Sequence, residues 1–238
     1  MKLRSVMTVL ALGACAPSFA ADPVTVILEK FKYGGNEQAT VRVNGGAQTL
    51  GTYRAGEYLG TLDGQSFSSF CTDVYQPLSF GPTYGYERLT VDQTQQLWGN
   101  APYSETIYNP NSYSLVSKLF TTAYSTVNNS TTSAAFQYAL WELLYEKSGN
   151  YTIGDNGNFW LSGTNAAATE QANTWLASIS SAADDYTIQS LYSGGQQVPA
   201  SRQDLVIATP VPEPQTYALA LVSLGIVAGY ARRKRNPS

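Results

Sequence analysis

The chain has 238 residues, with 14 Lys and Arg against 17 Asp and Glu, 17 tyrosines, two cysteines and no histidine. Without histidine there is no usual general base for a Ser or Cys nucleophile, and the commonest metal ligand is missing. A single body cysteine with carboxylates makes a poor zinc site.

Residues 1–20 read as a secretory signal peptide: Lys2 and Arg4 are basic, residues 6–14 are apolar, and Ser18-Phe19-Ala20 offers a small-residue cleavage site. Leu12-Gly13-Ala14-Cys15 supports a competing reading, a lipobox with Cys15 as the lipidated first residue. Strand character follows at residues 24–28 and 40–43, with a tight-turn signal at Asn44-Gly45-Gly46. It continues over residues 53–60 and 66–75, separated by the Asp63-Gly64 turn, and residues 84–90 add one more strand.

The middle of the chain turns helical. Residues 90–98, 112–125, 134–146 and 166–181 carry apolar residues at helical spacing. The third is the clearest helix, with N-cap hydroxyls at residues 130–133 and a stop at Gly149. Asp155-Asn156-Gly157-Asn158 reads as a plain polar turn, because it lacks the distal Glu of a calcium loop. Strands return at residues 186–192 and 205–208. The expectation is an α+β fold: a β-rich scaffold, sandwich or barrel-like, over residues 24–90 and 186–208, with a helical subdomain inserted at residues 90–181. Residues 21–210 form one body, long enough for a proper core.

Residues 211–238 form a second sorting signal. Pro212-Glu213-Pro214 precedes an uncharged, mostly apolar run over residues 217–231, and Arg232-Arg233-Lys234-Arg235 closes it. The run is short for a span, and the basic cluster stays cytoplasmic by the positive-inside rule, which places the body across the membrane. Six of the 14 basic residues lie in the two end signals, so the body is strongly acidic and unsuited to nucleic acid.

Two residues of the body stand out. Gln137 shares the buried stripe of its helix with Leu140, Trp141 and Leu144, where an amide must find partners. Cys71 has no disulfide partner within an exported body. Each has a bland explanation: a core Gln bonded to a nearby loop backbone, and a free Cys acting as a small hydrophobe. The alternative joins them, a thiolate attacking an amide carbonyl to leave an internal thioester. Glu142 and Glu146 are spaced i, i+4, a pair that glycoside hydrolysis could use, but they read as a solvated helix edge.

Two resemblances add to this reading. Phe70-Cys71-Thr72-Asp73 and Phe136-Gln137-Tyr138-Ala139-Leu140-Trp141-Glu142 resemble, in order, the two signature motifs of bacterial thioester domains. That resemblance implies Cys71 as the thioester thiol, Gln137 as the acyl donor, and single-use covalent attachment to an amine- or hydroxyl-bearing protein or polysaccharide. It implies no cofactor, and the protein is not an enzyme in the turnover sense. The tail resembles the PEP-CTERM sorting signal of Gram-negative bacteria. This implies an exosortase-type transpeptidase as partner and a location at the cell surface or in the extracellular matrix. A non-covalent structural or carbohydrate-binding matrix module remains the alternative.

Protein recovered from the surface of its native host is expected to begin near Ala21 and to lack residues 217–235. Peptide mapping checks this. Tail peptides retained on surface protein would make the segment a simple anchor.

Overall fold

The computed structural model describes residues 21–34, 37–99, 108–154, 157–194 and 202–211. The two end signals, with Cys15, Pro212, Glu213 and Pro214, lie outside the described residues apart from Val211. The strands are β1 (Asp22–Phe31), β2 (Gln38–Val43), β3 (Gln48–Arg54), β4 (Tyr58–Leu62), β5 (Gln65–Cys71) and β6 (Thr83–Arg88), then β7 (Trp160–Ser162), β8 (Tyr186–Tyr192) and β9 (Leu205–Pro210). The helices are α1 (Val91–Trp98), α2 (Ser112–Ala123), α3 (Ser130–Tyr145) and α4 (Ala166–Ser178).

Six strands close into a barrel in the order β1-β4-β5-β9-β8-β6, with β6 returning to β1, and every pairing is antiparallel. Closure removes the exposed edges that an open sheet of this size would carry. A smaller sheet runs β3-β2-β7. The expected β-scaffold with helices between its halves is therefore present, in barrel form. The inserted segment is not purely helical, because β7 pairs back onto β2 at Val41–Leu161. Three residues of strand give too short a run for a periodic signal.

The strand expected over residues 53–60 divides in two. Gly56 separates β3 from β4 at φ 148°, and a Cβ there would sit 3.2 Å from Ser133 Oγ and 3.3 Å from the Phe31 ring. Only glycine lets the chain cross so close to α3 on its way from the small sheet to the barrel. The next residue, Glu57, is buried and anchors the crossing. Its Oε1 accepts from Lys32 Nζ (3.0 Å), Ser68 Oγ (2.6 Å) and Tyr124 OH (2.8 Å), while its backbone N–H donates to Ser133 Oγ (2.7 Å). Those contacts tie two barrel strands to the helical side of the molecule.

Helix α3 lies at the centre. Asn129 caps it in a reciprocal capping box with Thr132, one residue ahead of the expected hydroxyls, a device typically worth about 1 kcal/mol. The helix ends at Tyr145, with Glu146 as C-cap, before it reaches Gly149. The expected one-sided stripe is a correction: every residue from Ser133 to Tyr145 is buried. A helix enclosed on all sides carries no amphipathic signature. Phe136 shows the enclosure, since its ring centroid lies 4.5 Å from Phe70, 4.8 Å from Phe120, 5.9 Å from Tyr124 and 6.4 Å from Trp175. Barrel, α2 and α4 thus meet on one side chain.

Phe136→Ala is expected to cost about 3–5 kcal/mol, the usual range for emptying a buried aromatic site. Urea unfolding of the variant checks this. A midpoint unchanged from the parent would mean that the three layers do not share this core.

Candidate functional site

Cys71 is the last residue of β5, and the end of its neighbour explains its environment. The β4–β5 ladder stops at the pair Tyr58–Ser69, whereas β5 runs on to Cys71 beside Leu205 of β9. Hydrogen-bonding direction alternates along a strand. Thr72 N–H turns to β9 and donates to Asp204 O (2.8 Å), so the peptide groups of Cys71 face the side that β4 has left. Gln137 fills that place. Cys71 N–H donates to Gln137 Oε1 at 3.0 Å, and Gln137 Nε2–H donates to Cys71 O at 2.8 Å. A carboxamide has the donor and acceptor of a peptide, and here it acts as the missing strand.

Both residues are fully buried. The structure therefore brings together two positions 66 apart in the sequence, as the motifs imply. The Gln137 amide is satisfied on both atoms by backbone, as in the bland reading of a core Gln, but by the end of a strand rather than by a loop. Its partner is the backbone of Cys71, which sequence spacing could not show.

The thiol of Cys71 donates to Asp73 O at 3.0 Å. Burial pushes this thiol well above its ordinary range, the charge of Asp73 adds to the rise, and the Trp141 side chain opposes it by hydrogen bonding. Trp141 lies four residues beyond Gln137, on the same helix face, so its place in the site was legible from i, i+4 spacing. Tyr145 was not singled out by sequence. Its hydroxyl donates to Thr72 O (2.7 Å) and accepts from Val74 N–H (3.2 Å), fixing the chain just beyond Cys71.

Glu142 and Glu146 are a correction. Both are buried rather than solvated. They organise the loop after α3. Glu146 Oε1 accepts from Ser148 N–H (2.6 Å), and its Oε2 accepts from Asn158 N–H (2.6 Å) and Phe159 N–H (3.0 Å). Burial raises the Glu146 carboxyl, but the N–H groups of Phe159, Ser148 and Asn158 outweigh it and leave it below the ordinary value. Glu142 has less support. Its Oε1 accepts from Thr152 N–H (3.0 Å), and its buried Oε2 has no partner among the described residues. Burial pushes its carboxyl up to about 8, against the lowering effect of Thr152. The two carboxylates thus serve the loop, and Gly157 and Asn158 of the expected polar turn lie against Glu146.

Among the described residues, no three Cys, Asp or Glu side chains gather as a metal site, and no helix is long and apolar enough to cross a membrane. Residues 210–235 match the family described as the PEP-CTERM protein-sorting motif. No curated protein matches the chain. The motif implies an exported protein sorted to the cell surface, with an exosortase recognising the tail.

Glu142 carries a pH signature. Its folded carboxyl titrates near 8, above an unfolded value near 4.3, so the folded state holds the extra proton between these two values. Its contribution to stability is complete below the lower value and declines as pH rises towards the upper one. Glu142→Gln is expected to flatten the fall in melting temperature between about pH 5 and pH 8. Identical pH profiles for parent and variant would contradict this.

Proposed function

We propose that this exported, surface-sorted protein carries an internal thioester between Cys71 Sγ and Gln137 Cδ and uses it for covalent attachment to a target. The carrying observation is the dry pairing of Gln137 with the peptide of Cys71. It holds the carbonyl carbon beside the cysteine, and the Cys71 N–H donates to Oε1, the oxygen on which charge develops during attack. A donor so placed favours a tetrahedral intermediate. In the forming step, the Cys71 sulfur bonds to Cδ, the C–N bond breaks, and the thiol proton leaves with the nitrogen as ammonia. In the capture step, a Lys amine or a sugar hydroxyl of the target bonds to Cδ, the C–S bond breaks, and the nucleophile's proton passes to the sulfur. Each molecule reacts once, so the protein is no turnover enzyme. The setting is adhesion or association with a biofilm exopolysaccharide matrix.

One observation favours a second reading, a structural or carbohydrate-binding matrix module without a thioester. The Gln137 carboxamide is complete as a non-covalent strand mimic, and loss of ammonia would take away the donor to Cys71 O. In that reading, the groove of about 650 Å³ by α1 and α2, lined by Gln95, Asn111, Tyr113, Lys118 and Tyr151 among others, has the amide and aromatic surface that sugars use.

Freshly purified protein is expected to weigh one ammonia less than its sequence, with Cys71 protected from alkylation. Methylamine is expected to add at Gln137 and free one thiol, and Cys71→Ala or Gln137→Ala to abolish both results. A parent mass equal to the sequence mass favours the non-covalent module.

A further inference from the structure

We propose that the indole N–H of Trp141 is the hydrogen-bond donor that stabilises the Cys71 sulfur when it carries negative charge, an inference that rests on the thioester reading above. Trp141 follows Gln137 by one helical turn, which puts both on the face of α3 turned towards Cys71. All three residues are fully buried. Among the described residues, Trp141 Nε1 is a buried side-chain polar atom without a hydrogen-bond partner. A buried indole N–H ordinarily finds an acceptor, so its isolation calls for one.

Its place in the helix assigns the Cys71 sulfur as that acceptor: Gln137, one turn before, holds the Cys71 peptide, and Tyr145, one turn after, holds Thr72 O and Val74 N–H. The Trp141 side chain favours the charged form of Cys71, while the carboxylates of Asp73 and Asp204 oppose it. A neutral thiol is a weak acceptor, and here its own proton is turned to Asp73 O. The indole therefore has little to grip while the sulfur is neutral, in keeping with its lack of a hydrogen-bond partner among the described residues. A thiolate is a much stronger acceptor, and a bond of this kind tightens as charge appears.

The sulfur gains that charge twice. It does so as the thiol gives up its proton to the departing ammonia and bonds to Gln137 Cδ. It does so again when an incoming amine takes Cδ, the C–S bond breaks, and the electron pair stays on sulfur until the amine's proton reaches it. Burial opposes charge at both moments, and a preorganised N–H lowers that penalty without reorganisation. The phenols whose charge would be felt at Cys71, those of Tyr53, Tyr58, Tyr86, Tyr108 and Tyr145, are all pushed by burial towards the neutral form and supply no charge of their own.

The test has two arms in the full chain carrying Cys15→Ser, which leaves one cysteine. In the first arm, methylamine incorporation is timed by intact mass for the parent and for Trp141→Phe. The variant is expected to react at least about tenfold more slowly, against about 100- to 1,000-fold for loss of an oxyanion-hole donor. Equal rates would overturn the proposal. In the second arm, Gln137→Ala removes the thioester, and the S–H Raman band follows ionisation of Cys71 with and without Trp141→Phe. The midpoint is expected to rise by about one pH unit when the N–H is removed. An unmoved midpoint overturns the proposal whether or not the parent forms a thioester, and a parent mass without ammonia loss sinks only the thioester reading. If Trp141→Phe does not fold, a benzothienyl-alanine at position 141 keeps the ring shape without the N–H, and the same outcomes apply.

Discussion

The site depends on a helix side chain standing in for a strand. Strand β4 ends two residues before β5 does, so the peptide of Cys71 would lie buried with neither its N–H nor its C=O paired. An orphaned buried peptide group costs about 1–3 kcal/mol, so the vacancy must be filled. Gln137 fills it with both atoms of its carboxamide. That pairing sets where α3 lies along its axis and how it is rotated against the barrel. It is also what brings the thiol, the amide carbon and the Trp141 indole into one dry place.

The remaining architecture holds that helix still. Glu57 fixes the approach of the chain to the barrel beside Ser133, near the start of α3. Glu146, just past its last turn, gathers the following loop through three backbone N–H groups. Tyr145 holds the chain beyond Cys71 from the same end. Buried carboxylates are normally costly, and each of these is offset by several donors on one or both oxygens. Glu57 and Glu142 each leave one buried oxygen without a partner among the described residues, but Glu57 has three donors on the other oxygen and Glu142 only one, so burial pushes the Glu142 carboxyl up to about 8.

Much of this was legible in the sequence. The four helices appear over the expected segments, α3 through its helix-forming residues rather than a one-sided stripe, and β8 (Tyr186–Tyr192) has the expected bounds. Local spacing also placed Gln137 and Trp141 on one face. What sequence could not show was long-range. The burial of Glu142 and Glu146 depends on a loop that returns over the end of α3, and charged residues at i, i+4 look the same whether such a loop covers them or not. The division of residues 53–60 follows from Gly56 meeting Ser133 and Phe31, contacts between distant segments. The partner of the Gln137 amide is set by where β4 stops, which no local pattern records. The end signals were legible as sequence alone, and the match over residues 210–235 agrees with the tail reading.

Thioester formation would remove the Gln137 nitrogen with its hydrogen bond and leave Cys71 O to find another donor. The pairing therefore stands either as the final state of a structural module or as the approach complex of the bond-forming step. Carbon-13 NMR of protein labelled at glutamine Cδ distinguishes the two directly. The covalent account predicts one carbonyl signal far downfield of the amide group, absent in Gln137→Ala and returning to the amide region after methylamine. A complete set of ordinary amide signals in untreated, folded protein would contradict it.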